Sequence, residues 1–182
     1  MSKPNTTKNL VFSAAAIALA TVISVVIKLP SLPNGGSVTL FSMLCICLVG
    51  YWYGLKTGLT AAVAYGILQF ITGPYVVHPA QVLLDYPLAF GALGLSGLFS
   101  NAKNGLVKGY IAGVLGRYFF AFLSGMIFFG AYAADYGMSA PVYSLVYNGI
   151  YLSVEAVLTL IILYLPPVKK VMGQLKTMAT QR

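Results

Sequence analysis

The chain has 182 residues, of which 59% are hydrophobic and 8% charged, and a mean hydropathy of +0.85. A soluble domain carries about 25% charged residues, so this chain cannot cover its own surface in water. It is expected to be an all-α integral membrane protein, residues 1–182 forming one bundle with no room for an attached soluble ATPase. The net charge of +8 would suit nucleic acid. Its placement in alternate loops argues instead for membrane topology and anionic lipid headgroups, with no nucleic-acid partner.

Apolar runs separated by breakers predict six transmembrane helices, at about 10–29, 38–54, 57–72, 82–100, 107–132 and 143–165, against the ~17–25 residues a span requires. The first carries Ser13-Ala-Ala-Ala-Ile-Ala-Leu-Ala20. Ala14 with Ala18, or Ala16 with Ala20, forms a small-xxx-small pair that lets another helix approach closely. Small-residue cleavage logic fits this run poorly, so no cleavable signal peptide is expected. Pro30-Ser-Leu-Pro-Asn-Gly-Gly-Ser37 then breaks the chain.

Helix two holds Cys45 and Cys47. Residues two apart on a helix do not face each other, which favours buried free thiols over a disulfide or a metal site. Tyr53-Gly-Leu-Lys-Thr57 makes a tight joint to helix three. Gly73-Pro74 and His78-Pro79 precede helix four, with His78 read as a turn residue. The steps Gly91/Gly94/Gly97 and Gly109/Gly113 suit close packing inside the bundle.

Lysines fix the expected orientation. Lys3 and Lys8 precede helix one, Lys56 joins helices two and three, and Lys103 and Lys108 join four and five. Lys169, Lys170, Lys176 and Arg182 follow helix six. The other connections hold almost no positive charge, Lys28 excepted, so both termini are expected to be cytoplasmic.

Only three acidic residues occur, and Asp85 lies inside the apolar run Val82 to Phe90. An ionisable residue at membrane depth marks a functional site with a partner to be named. With the expected topology, Asp85 and Tyr86 lie about one turn below the outer surface. Helix six brings Tyr143, Tyr147 and Tyr151 on one i, i+4, i+8 stripe, with Asn148 beside it. Helix five ends at the same level with Gly125, Phe128, Phe129 and Tyr132. Any one tyrosine suits an interfacial belt equally well. The whole set suits a flat, cationic, hydrogen-bonding small molecule. Arg117 and Glu155 fall near mid-membrane on neighbouring helices and are expected to pair; a role in proton coupling is the other reading.

Four stretches in order carry a family resemblance: Pro33-Asn-Gly-Gly-Ser-Val38, His78-Pro-Ala-Gln-Val-Leu-Leu-Asp-Tyr86, Ser124-Gly-Met-Ile-Phe-Phe-Gly130 and Tyr143-Ser-Leu-Val-Tyr-Asn148. Over nearly its whole length the chain resembles the thiamine-specific substrate-binding (S) components of energy-coupling factor (ECF) vitamin transporters. The resemblance implies a multi-pass protein of a prokaryotic plasma membrane that binds thiamine from outside, needs no cofactor and hydrolyses nothing itself. It would dock on a transmembrane T component carrying two cytoplasmic ATPases, and topple in the membrane to release its vitamin.

By position, the resemblance makes Asp85 the acidic ligand and Tyr86 its aromatic neighbour. Tyr143 and Asn148 become polar ligands, with Tyr147 on the same face, Phe129 an aromatic contact and Gly125 a backbone contact. Asn34, Gly35, Gly36 and Ser37 become a lid, and Ala14, Ala16, Ala18 and Ala20 the surface for the T component. One departure stands out: Ala121 occupies a position where the family commonly has a stacking histidine, leaving Tyr118 or Phe122 to supply a ring. That departure motivates an alternative ligand, pyridoxine-like or a hydroxymethylpyrimidine. A stand-alone proton-coupled carrier is the other alternative. An intramembrane enzyme fits badly, since no nucleophile–base pair or metal-ligand cluster is visible.

Overall fold

Backbone N–H and C=O groups in hydrocarbon find no water, so an apolar chain must satisfy them within helices or closed barrels. The computed structural model describes residues 6–27 and 36–181, and its regular structure there is helical, with no strand. The elements are α1 (Thr6–Val26), α2 (Ser42–Tyr53), α3 (Leu55–Thr72), α4 (Pro79–Phe99), α5 (Gly105–Phe128), α6 (Ala140–Tyr164) and α7 (Pro166–Thr180). A short 3-10 segment, Gly130–Tyr136, links α5 to α6.

Four helices, α1, α4, α5 and α6, are long and apolar enough to cross a membrane, at 21, 21, 24 and 25 residues. With 12 residues, α2 rises about 18 Å, short of a ~30 Å hydrocarbon core. The helix expected to run to residue 132 ends at Phe128, where Phe129 leaves helical geometry and the 3-10 segment takes over. The largest departure is α7. Pro166 and Pro167 suggested a stop, yet proline also suits the first turn of a helix, where its missing N–H is not needed, and they open α7 instead. That helix packs across the end of the bundle. Lys8 Nζ donates to Gln181 O at 2.9 Å and Tyr53 Oη to Ala179 O at 3.2 Å.

The α2–α3 joint is a single residue, Gly54, at φ 83° and ψ −178°, a conformation essentially reserved for glycine. The glycines of α4 and α5 work as expected. A Cβ on Gly94 would lie 2.5 Å from the backbone of Leu59, and one on Gly109 would lie 2.7 Å from Ser96 O. Backbones touch at both points. Cys45 and Cys47 are buried free thiols inside this packing.

On α1, Ser13, Ala16, Ala20 and Ser24 turn into the bundle while Ala14 and Ala18 stay exposed. Ala20 is fully buried and Tyr65 Oη reaches its carbonyl at 3.5 Å. The expectation that all four alanines meet a partner is therefore corrected: Ala16 and Ala20 serve internal packing. The outward small face is Ala14 and Ala18.

Candidate functional site

The local chemistry of α4 creates the site's main irregularity. Pro87 has no N–H, so the carbonyl one turn before it loses its helical partner and the ring crowds that turn. Residues Leu84–Leu88 respond by widening into a π turn, with the Ala89 N–H reaching back to Leu84 O. Such single π turns often sit at functional sites, and this one carries Asp85 and Tyr86. On the opposing helix Gly66 makes room for it, since a Cβ there would lie 2.4 Å from Tyr86 O.

Asp85 faces a chamber of about 210 Å³ at the end of the bundle where α1, α3 and α5 finish and α2, α4 and α6 begin. All seven residues expected to bind a ligand line it: Asp85, Tyr86, Gly125, Phe129, Tyr143, Tyr147 and Asn148. Gly36 and Ser37 line it as well, while Asn34 and Gly35 lie outside the described residues. The tyrosine stripe is a ladder, with Tyr143 stacked on Tyr147 at 5.6 Å and Tyr147 edge-on to Tyr151 at 5.9 Å. Across the mouth, Tyr75 stacks on Phe129 at 5.9 Å.

The polar groups are held by neighbours rather than left to rotate. Gln81, 1% exposed, donates Nε2 to Asp85 Oδ2 at 2.5 Å and accepts from Val77 N at 3.1 Å. The Tyr86 hydroxyl takes the N–H of Tyr75 at 2.8 Å. Asn148 donates to Ala121 O and Ser144 O at 3.2 and 3.0 Å, and its Oδ1 accepts from Tyr151 Oη at 2.8 Å. Gly125 is required here for space, because a Cβ would lie 2.3 Å from Ser144 Oγ and 3.0 Å from Asn148 Nδ2.

Several expectations need correcting. Arg117 does not bond to Glu155 among the described residues. Its guanidinium lies 4.1 Å from the centre of the Phe90 ring, its Nη1 has no hydrogen-bond partner, and it lines the chamber. Glu155 is held instead by Met43, Ser42 and Thr39. Ala121 does form part of the chamber wall, but neither Tyr118 nor Phe122 does; Tyr118 donates to Leu145 O at 2.9 Å. His78 behaves as a turn residue, its Nδ1 capping α4 by accepting from Ala80 N at 3.1 Å. Reading the sequence missed Gln81, Tyr75, Ser124 and Ser144, and also the pair Ser24–Gln69, in which Gln69 donates to Ser24 at 2.8 Å. Only Gln81 left a signal, a polar residue one turn before the carboxylate on the same helix face.

An apolar helical bundle enclosing an aromatic chamber with one fixed carboxylate is a multi-pass cell-membrane protein of the small-molecule transport class. A model of the thiamine transporter protein family (Thia_YuaJ) matches residues 10–174. The chain belongs to that family. It is 35% identical over 169 residues to the thiamine transporter ThiT of Bacillus subtilis, covering 85% of each chain. It is 34% identical over 139 residues to ThiT of Lacticaseibacillus paracasei, covering 67% of this chain and 69% of that one. The solved structure of ThiT from Listeria monocytogenes superposes with a TM-score of 0.71 at 28% identity, over 90% of this chain and 96% of that one.

Proposed function

We propose that this protein takes up thiamine as the S component of an ECF-type transporter, binding the vitamin in the chamber from the outer face. Six spans with cytoplasmic termini then form a single substrate-binding unit. It docks on a T component with two ATPases, and Ala14 and Ala18 are offered to that partner. Lys56, Lys103 and Lys108 lie at the end of the bundle opposite the chamber, and the enrichment of lysine on cytoplasmic ends supports a chamber open to the outside.

One observation carries the ligand assignment. Asp85 is fixed by a neutral amide, Gln81, and turned toward a chamber walled by aromatic rings. A carboxylate at this depth needs a positive partner. Arg117 lines the same chamber but is turned onto the Phe90 ring, and the permanent charge of a thiazolium meets Asp85 directly. The planar pyrimidine suits the Tyr143–Tyr147–Tyr151 ladder and the Asn148 amide.

Titration calorimetry with thiamine on wild-type protein and Asp85→Asn tests this reading. Equal affinities would remove the carboxylate from the mechanism. Calorimetry is preferable to tryptophan fluorescence, because the lone Trp52 sits near the end of α2 remote from the chamber. Uptake in cells with and without a T component tests the ECF assignment. The bare Ala121 wall favours a second reading, in which another planar vitamin or precursor is the ligand. Competition by pyridoxine or hydroxymethylpyrimidine against labelled thiamine separates the two.

A further inference from the structure

Glu155 is 2% exposed and stands outside the chamber, yet it reaches the segment that walls it. Its Oε1 accepts from Met43 N at 3.2 Å and Ser42 Oγ at 3.4 Å, and its Oε2 from Thr39 Oγ1 at 3.3 Å. Thr39 Oγ1 also lies 2.7 Å from Ser42 Oγ, so the two hydroxyl protons are shared between that contact and the carboxylate, and Thr39 lines the chamber. The carboxylate therefore caps the start of α2 from a helix 112 residues further along the chain.

The start of α2 needs such a cap. Its N-cap residue is Phe41, which brings no side-chain acceptor to the open N–H groups of the first turn. Phe41 also sits at φ 69° and ψ 0°, a left-handed geometry that a bulky residue adopts only when its surroundings hold it there. A carboxylate at a helix N-terminus supplies both the acceptor and the favourable charge. A residue that only filled space would gain nothing from a charge buried at this point.

A second tie lies two turns away on the same helix, where Gly36 N donates to Tyr147 Oη at 2.8 Å. The packing there is tight, since a Cβ on Gly36 would fall 2.7 Å from that hydroxyl. Residues 36–43 are thus strapped along α6 at both ends, with the wall residues Ser37 and Thr39 between the ties. We propose that Glu155 is a positioning residue for ligand retention: it clamps the inner end of this strap, with Phe41 as the hinge that would relax on release. The assignment of thiamine as the retained ligand rests on the function proposed above; the clamp itself does not.

The test uses full-length protein in detergent or nanodiscs. Labelling is read in protein carrying Ser37→Cys as a reporter, where Cys45 and Cys47 are buried and give little background, and dissociation is read in protein without that reporter. Labelling by a water-soluble maleimide is timed without ligand, and dissociation of labelled thiamine is timed by chase. In Glu155→Leu, labelling and dissociation should both accelerate about tenfold, the effect of losing hydrogen bonds to a charged group, with association changed less than about twofold. Glu155→Gln keeps an acceptor for Met43 N and should fall between that variant and wild type. Ser42→Ala, which leaves the carboxylate in place, should accelerate both about threefold. Unchanged labelling and dissociation in folded Glu155→Leu overturn the clamp. If that variant does not fold, unchanged rates in both Glu155→Gln and Ser42→Ala do so. Should wild-type protein fail to bind thiamine, the proposed function falls, while the ligand-free labelling still decides the clamp.

Discussion

Gln81 donates its side-chain amide to Asp85 one turn further along α4, at 2.5 Å, and at the same time holds Tyr75 O at 3.2 Å and Val77 N at 3.1 Å. One buried side chain thus fixes both the carboxylate and the loop that carries Tyr75 over the chamber. Replacing Gln81 by Leu leaves the Asp85 oxygen and two loop backbone groups short of a partner, at about 1–3 kcal/mol for each buried group left unmet. Thiamine affinity is expected to fall by at least tenfold, measured by calorimetry. Affinity equal to wild type would mean that Asp85 is oriented by other contacts.

Asp85→Asn keeps the shape of the side chain and its contact with Gln81 but removes the charge. Thiamine affinity should drop about ten- to hundredfold, the range expected when a charged group loses its pairing, about 1.5–3 kcal/mol. A neutral planar analogue should lose far less. Equal losses for cation and neutral analogue would show that the charge is not what Asp85 contributes.

Tyr147→Phe deletes the hydroxyl that accepts from Gly36 N at 2.8 Å while preserving the stacked ring at 5.6 Å from Tyr143. The cost of one net hydrogen bond, about 1 kcal/mol, predicts about fivefold faster release of thiamine with little change in association. Stopped-flow chase measures both. A change confined to the association rate would contradict the role of this hydroxyl as a tie.

Gly125→Ala places a methyl 2.3 Å from Ser144 Oγ, which cannot swing aside without leaving its 2.7 Å bond to Phe122 O. Overpacking of this kind costs about 1–3 kcal/mol and displaces Asn148 next to it. Thermal stability and thiamine affinity should fall together. If affinity falls while the melting temperature does not, the methyl obstructs the ligand directly instead of through Ser144.

Ala18→Leu enlarges the exposed face of α1 without touching the chamber. Calorimetric affinity should match wild type, whereas thiamine uptake by cells that supply the T component and ATPases should fall severalfold, because small residues are what permit close helix approach. Ala20→Leu, in contrast, fills a fully buried position and should lower thermal stability by about 1–3 kcal/mol. Normal uptake by Ala18→Leu would move the docking face elsewhere.

The seven expected chamber residues were legible because they come in short motifs on or at the end of three helices, α4, α5 and α6, each near a break in the chain. Tyr143, Tyr147 and Tyr151 share a face by spacing alone, and the same holds for Gln81 and Asp85. The failures have a common cause. Arg117 and Glu155 were matched by depth, but depth does not set the direction of a side chain around the helix axis: Glu155 turns to the start of α2 and Arg117 to Phe90. The two alanine pairs of α1 were equally good candidates for an outer face until packing against α2 and α3 buried Ala16 and Ala20. The helix α7 was missed because proline pairs both end and begin helices, and only the docking of Tyr53 and Lys8 onto its last turn distinguishes the two.

Composition and periodicity by themselves determined that this protein lives in a membrane, that its regular structure is helical, and that one acid sits among aromatics. Those are consequences of solvation and of the helical repeat, which act on each segment separately. The tertiary structure alone decided that Asn148 donates to Ala121 O and Ser144 to Phe122 O on the neighbouring helix, and that Glu155 closes the start of a helix from across the bundle. Such partners are chosen by the relative rotation and approach of different helices, and no single segment encodes that rotation.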